Sequence, residues 1–462
     1  MRSTHDDSRW TRLVEVLCRP IQMDSYATIA DALAIAFLAG DIETDELVDR
    51  GSLLFNRRWR WIRPLARRVV ETFAAGVRPR QTFVVEFILA DRGFFRACQK
   101  HDLRLANRLV APPMMRPVIA AASWRVASIR TPRELADWLG VSFGELSWFA
   151  DLRGLEHKRN HGRLRHYHYR PLAKRFGQIR LIESPKPRLK QIQRRVLTDI
   201  LDHIPLHDAV HGFRRGRSIK TFAAPHVGRR VVLKIDLQDF FPSISAARIQ
   251  AIFRTIGYPE EVADLLAGLC MNSAPTDEWD HEFSGSSGRQ VRQFRWLYSQ
   301  PHLPQGAPTS PALANLSAYH LDCRLTGLSR SAAATYTRYA DDLAFSGARD
   351  FERVAMRFHN HVCATVMEER FTVHHRKTRI MRQGVRQRLA GLVVNERVNV
   401  PRVDFDRLKA TLTNCIRQGP QSQNRQGHLD YRGHLQGRIS FVEMVNPSKG
   451  HRLRALFDQI DW

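Results

Sequence analysis

Two short apolar runs in this chain end in acid, and that pattern restricts the fold more than any other feature. Val231, Val232, Leu233 and Ile235 run into Asp236, the way a strand buried on both faces delivers a carboxylate to its exposed tip. Tyr336 to Phe345 repeats the arrangement around two consecutive acids, Asp341 and Asp342. An unpaired carboxylate in apolar surroundings is costly, so these three acids want a cation. Successive side chains of a regular strand point to opposite faces, and Asp341 and Asp342 can both reach one site only from a hairpin turn. Asp236 and Asp341 are then the principal ligands, with Asp342 more peripheral.

The charge balance says what such a site acts on. Against 46 Asp+Glu stand 72 Lys+Arg, a net charge of +26 and a pI near 10.7, spread along the chain and not confined to a tail. The natural partner is a polyanion, and nucleic acid leads because counterion release drives a basic surface onto phosphates. A membrane surface is the weaker alternative, since no basic amphipathic face dominates any helix. Two hard cations about 4 Å apart on the three acids could activate a 3′-hydroxyl and steady a pyrophosphate leaving group.

Six cysteines, Cys18, Cys98, Cys270, Cys323, Cys363 and Cys415, show no pair at zinc-ligand spacing and read as reduced thiols. His166 and His168, and likewise His374 and His375, lack the carboxylate or cysteine neighbours of a transition-metal site. No stretch reaches the roughly twenty apolar residues that span a bilayer, and the N-terminus has no signal-peptide pattern. A cytoplasmic protein without a membrane partner is expected.

At 462 residues the chain should hold two to four units. Residues 1–125 read as helical, from spacings such as Leu65, Val69, Val70, Phe73 and then Phe83, Phe87, Phe94, Phe95. Two short helices are predicted between Thr131 and Asp151, one opening at Thr131-Pro132 and one after the Gly140-Val-Ser turn. Strands flank a Gly177-Gln turn between Tyr167 and Ser184, and a helix follows from Leu189 to Ile204. Asn272 to Gln300, rich in Gly, Ser and charge, reads as a long loop or insertion. From about Phe405 a helical pattern is broken by Gly419 to Gly427, with a final helix near Gly433 to Val445.

The segments around the acids carry a resemblance. Lys234 to Ile244, Leu303-Pro-Gln-Gly-Ala-Pro-Thr-Ser-Pro-Ala-Leu-Ala-Asn-Leu316 and Tyr339-Ala-Asp-Asp342 resemble motifs A, B and C of reverse transcriptases, in that order. The Gln-Gly-Ala-Pro-Thr-Ser-Pro form of motif B, and His211-Gly-Phe-Arg-Arg-Gly-Arg-Ser218 before motif A, resemble bacterial retron enzymes more than group II intron enzymes. The similarity covers about residues 165 to 450, and the helical N-terminal extension is similar to that of myxobacterial members. Two stretches depart from the family. Phe222-Ala-Ala-Pro-His226 stands where Asn-Ala-x-x-His is common, and Leu389-Ala-Gly391 replaces a Val-Thr-Gly triplet. Both departures bear on recognition of the RNA partner, not on polymerisation.

The resemblance implies roles for single residues. Asp236, Asp341 and Asp342 would hold two Mg2+ ions. Phe241, five positions after Asp236, is similar to the gate that packs against C2′ and favours deoxynucleotides. Gln305 and Gly306 resemble the motif B pair that contacts the nucleotide and lets backbone approach it, glycine because no Cβ intrudes. Lys174 and Arg180 are placed like the basic pair that grips the triphosphate. Lys377 is similar to the motif D lysine that protonates departing pyrophosphate.

The expected fold is α+β, a right-hand polymerase with a helical N-terminal extension: residues 1–125 the extension, 126–235 fingers, 236–400 palm with an insertion at 272–300, and 401–462 thumb. The expected activity is RNA-directed DNA synthesis on a structured non-coding RNA, giving branched RNA-DNA in anti-phage defence, with an effector protein as possible partner. Two alternatives stay open at this level: another defence-associated or group II-like reverse transcriptase, and a catalytically silent RNA-binding scaffold.

Overall fold

The computed structural model describes residues 20–73, 78–107, 114–155, 165–173, 179–275 and 288–462. Backbone contacts divide the chain into two compact units. One takes the described residues up to Trp148 with Gln250–Ala267, and the other Phe149–Ile249 with Gly268–Trp462.

The first unit carries α1 (Pro20–Leu38), α2 (Thr44–Leu54), α3 (Ile62–Phe73), α4 (Gln81–Ala90) and α5 (Arg92–Lys100). Leu33, Phe37, Leu47, Leu54, Ile62, Leu65, Val69, Ile88 and Phe94 meet in one apolar cluster, each burial contributing about 1.5–3 kcal/mol. The aromatic spacing falls on helices, as expected. On α4 Val84 and Ile88 are inside and Phe87 packs against the cluster, while Phe83 is 54% exposed. Asp91 starts α5 by accepting from Phe94 N at 2.8 Å. The two short predicted helices are α6 (Pro132–Leu139) and α7 (Phe143–Ala150). Thr131 caps α6 through Glu134 N, and Gly140 ends it at φ 66°, a left-handed conformation that glycine adopts without a Cβ clash.

In the second unit β1 (Tyr167–Ala173) and β2 (Ile179–Pro185) pair antiparallel; the predicted Gly177-Gln turn lies outside the described residues. Next come α8 (Pro187–Asp199), α9 (Ile219–Ala223) and β3 (Val231–Gln238); α10 (Ala246–Ile256) and α11 (Glu260–Cys270) follow along the chain, their residues Gln250–Ala267 belonging to the first unit. The helix predicted to Ile204 breaks where Ile200 leaves helical geometry, and a short 3-10 turn, Leu201–His203, replaces its end. The expected loop at Asn272 to Gln300 also needs correction, because its end is α12 (Gly288–Ser299). Phe294 and Tyr298, one helical turn apart, bury against Leu181 and Ala274, an apolar stripe masked in the sequence by the surrounding Gly, Ser and charge.

After α13 (Ser310–Ser317) and α14 (Tyr319–Ser331) come β4 (Thr335–Tyr339), β5 (Asp342–Gly347), α15 (Arg349–Glu368), β6 (Thr372–Val373) and β7 (Arg379–Arg382). The sheet runs β4-β5-β3-β6, with β7 on the first half of β3. β3 is therefore central, as its unbroken apolar run requires. A small hairpin, β8 (Arg388–Leu389) and β9 (Leu392–Val393), precedes α16 (Arg402–Gln418), α17 (Tyr431–Val445) and α18 (Pro447–Phe457). The last helix was not anticipated, although Asn446 caps it and Pro447 stands at its first position. Among the described residues no helix is long and apolar enough to cross a membrane.

Candidate active site

β3 delivers Asp236 to the same end of the sheet as the β4–β5 hairpin. Asp236 and Asp342 are direct cross-strand partners, and Leu237 N donates to the Asp341 carbonyl at 2.9 Å. The hairpin turn is Ala340-Asp341, with Ala340 at φ 53°. Asp341 thus sits in the turn while Asp342 opens β5, so the tandem acids escape the alternation of a regular strand.

The electrostatics are those of a cation seat. Burial, then the charges of Asp342 and Asp236, push the Asp341 carboxyl up to about 6. Burial also raises Asp342 against the opposing pull of Lys234, whose Nζ is 2.9 Å from Oδ1. Lys377 Nζ stands 3.0 and 3.3 Å from the two Asp236 oxygens, already placing a positive charge on that carboxylate. The donor set is entirely oxygen, which fits hard divalent ions such as Mg2+ and not soft ones.

One cleft is lined by Asp236, Asp341 and Lys377 together with Arg180, Phe241 and Gln305. Arg180 projects from the β1–β2 hairpin, where it is the register partner of Leu172; Lys174 lies outside the described residues. Phe241 meets Phe240 and Phe213 edge-on at 5.6 and 6.1 Å between centroids. The Gln305 Oε1 is buried with no hydrogen-bond partner among the described residues, an acceptor at the cleft with capacity to spare. Gly306 has a second reason to be glycine. It sits at φ 135°, where a Cβ would stand 2.8 Å from the Glu183 carbonyl oxygen, and Glu183 N donates to the Gln305 carbonyl at 2.8 Å. Strand β2 and the Gln305-Gly306 turn are thereby locked together.

Several residues that hold this geometry were missed in the sequence. Arg338, fully buried, grips Asp322 through Nε and Nη2 at 2.8 and 2.7 Å and reaches the Ala340 carbonyl at 3.2 Å. His226 bridges the hairpin strands, with Nδ1 2.6 Å from Ser346 Oγ and Nε2 2.7 Å from Thr337 Oγ1. Gly212 packs on the turn so closely that a Cβ would lie 2.6 Å from Ala340 N. Phe213, half-exposed at φ 55°, covers Phe241 and Tyr339. Beneath β2 the buried Glu183 accepts from Asn272 at 2.8 Å and pairs with His302 at 2.9 Å. Burial opposes protonation of His302, yet the Glu183 carboxylate wins and its pKa is raised. Arg338 stood beside the acids in Arg338-Tyr-Ala-Asp-Asp, and Gly212, Phe213 and His226 stood in stretches set apart by family resemblance, without anything to mark them as supports of the turn.

Comparison with known proteins supplies the family. Residues 172–416 match the family of reverse transcriptases (RNA-dependent DNA polymerases). Over 328 residues the chain is 42% identical to the retron Mx65 reverse transcriptase of Myxococcus xanthus, covering 70% of each. To the retron Mx162 reverse transcriptase of the same organism it is 37% identical, over 71% of this chain and 66% of that one. With the retron Ec86 reverse transcriptase of Escherichia coli it shares 31% over 60% of this chain and 74% of that protein. On these matches the chain belongs to the retron reverse transcriptases and is an RNA-directed DNA polymerase.

Proposed function

We propose that this polymerase uses a structured non-coding RNA both as template and, through an internal 2′-hydroxyl, as primer, yielding a covalent branch between RNA and DNA. The observation that carries the catalytic part is the meeting of Asp236, Asp341, Arg180, Phe241, Gln305 and Lys377 on one cleft. Asp236, Asp341 and Asp342 hold the divalent ions, Mg2+, that supply nucleophile activation and charge neutralisation in phosphoryl transfer. Phe241 selects the deoxyribose, and Gln305 with the Gly306 backbone seats the nucleotide. Arg180, and Lys174 with it, hold the triphosphate. Lys377, which is on Asp236 in the free protein, moves to the phosphates and gives its proton to the leaving pyrophosphate.

In this reading the five-stranded sheet is the palm, the β1–β2 hairpin belongs to the fingers and α16–α18 form the thumb. The helical first unit holds RNA or docks an effector, and the biological role is anti-phage defence. Support for the partners is the +26 charge and the retron relatives.

The test is synthesis by the purified chain, Mg2+ and deoxynucleotides on the RNA encoded beside its gene. The product should be DNA attached to RNA at a 2′ position, trimmed by RNase to a branched end. Copying of a generic primed RNA without any branched product would remove the retron-specific part and leave the polymerase. Asp341→Asn should abolish synthesis and leave RNA binding within about twofold, since it removes a metal ligand and not a phosphate contact; normal synthesis by this variant would discard the metal assignment.

A further inference from the structure

One cluster of metal-ligating side chains lies outside the cleft and has no part in the chemistry above. His359 and Cys363 are one turn apart on α15, and His375 begins the 3-10 turn His375–Lys377. Sequence neighbours alone offered His375 no cysteine; the fold supplies Cys363 from the preceding helix. His359 Nε2 is 3.4 Å from Cys363 Sγ. The His359 and His375 rings lie 6.5 Å apart between centroids. One ligand atom from each of the three residues falls within 4.8 Å of the other two.

These distances can be set against coordination geometry. Bonds of about 2.0–2.1 Å to imidazole nitrogen and about 2.3 Å to thiolate sulfur, in a tetrahedron, separate donors by roughly 3.5 Å. The His359–Cys363 edge has that length already. The remaining edges need to shorten by little more than about 1 Å, which a rotation of the exposed His375 side chain supplies. The donors are two imidazoles and one sulfur, a set that suits zinc-class ions and repels the hard cations that suit the carboxylates of the cleft.

We propose that His359, Cys363 and His375 form a transition-metal site, for Zn2+ or an ion of like chemistry, that clamps the turn carrying Lys377 to α15. Three protein ligands leave the fourth position to water. The clamp has a functional lever: Lys377 is two residues from His375, and His374 N donates to the Asp236 carbonyl at 2.7 Å. Fixing His375 therefore fixes the short backbone segment between the metal and the catalytic carboxylate. Binding here does not depend on what the polymerase copies, so its test needs no synthesis.

The experiment uses the full chain stripped by chelator and titrated with Co2+ as a visible stand-in for Zn2+. One cobalt should bind with a thiolate-to-metal charge-transfer band, and Zn2+ should displace it. Cys363→Ser should abolish that band, and His375→Ala should weaken binding by at least the roughly 10–100-fold that losing even an outer partner costs. Asp341→Asn should keep the band, which separates this site from the cleft. Absence of a thiolate band, or its survival in Cys363→Ser, would overturn the site. Amide hydrogen exchange across residues 374–378 should slow with Zn2+ in the wild type and not in His375→Ala; cobalt bound through Cys363 with unaltered exchange would overturn the clamp.

Discussion

The helical unit and the acid-bearing hairpin are both well buried, but by different chemistry. In the helical unit the side chains from Leu33 to Phe94 meet in an apolar cluster, and an ion pair such as Arg63–Asp45, at 2.5 Å, stands exposed outside it. Beneath the hairpin, Arg338, Asp322, Asn315, His226, Ser346 and Thr337 are each under 5% exposed, and they bond to one another and to the turn. Apolar packing is non-directional and tolerates repacking at constant volume. Buried hydrogen bonds are directional, and an incomplete network costs more than none. The contrast teaches that the chain fills volume with hydrocarbon where only cohesion matters, and uses polar groups where a turn must be held in one geometry.

The largest effect should follow from cutting that polar floor. Arg338→Met leaves the buried Asp322 carboxylate with the Tyr336 hydroxyl but no opposite charge and should cost about 3–5 kcal/mol. Adding Asp322→Leu should recover part of the stability, because removing both charges is often nearly neutral while the buried Tyr336 hydroxyl, which donates to Asp322 at 2.8 Å, loses its acceptor. Synthesis should not recover, since the Ala340 carbonyl and Asn315 have lost their donor. In the helical unit Leu65→Ala should cost a similar ~2–5 kcal/mol yet leave activity per folded molecule unchanged. Denaturant unfolding alongside synthesis rates separates the two; a double variant that polymerises at the wild-type rate would break the comparison.

A smaller effect should come from Gly306→Ala. The new methyl meets the Glu183 carbonyl at 2.8 Å, at a φ of 135° that side chains resist, a strain of about 1–3 kcal/mol. Nucleotide KM should rise with it as β2 and Arg180 shift. An unchanged KM with unchanged stability would show that β2 is not locked to this turn.

What was legible in the sequence divides along the same line. The strand tips bearing Asp236, Asp341 and Asp342 could be read because an acid ending an apolar run is conspicuous at short range. The helix starts at Thr131 and the ends at Gly140 could be read because capping is local. Arg338 and His226 could not be read as supports, since their partners are distant along the chain: Thr337 and Ser346 lie 111 and 120 residues from His226, and Asp322 and Asn315 lie 16 and 23 residues from Arg338. The helix Gly288–Ser299 was hidden for a related reason: its two buried rings fit only because Leu181 and Ala274 come from elsewhere. Local chemistry was legible at these positions, though the local start at Asn446-Pro447 was passed over, and supports that depend on closure of the fold were not.

The most delicate test of the comparison is acid. Burial, then Arg229 and His211, lower the His226 pKa to about 3, and burial with Arg217 and Arg214 lowers His211 to about 4. In the unfolded chain both return to about 6.5. Below that value the unfolded state takes up protons that the folded state refuses, so stability falls as pH drops from about 6.5 toward the folded pKa values. Each site contributes a slope of at most about 1.4 kcal/mol per pH unit. His226→Asn should lower stability at neutral pH by losing its bridge between Ser346 and Thr337, yet flatten the decline between pH 6.5 and 5, leaving the His211 share set against the opposite contribution of Asp341, whose carboxyl is pushed up to about 6. The hydrocarbon-filled helical unit has no such group in its cluster, so a Leu65→Ala variant should keep the wild-type slope. Parallel declines in all three proteins would mean that the hairpin floor is not where this chain feels pH.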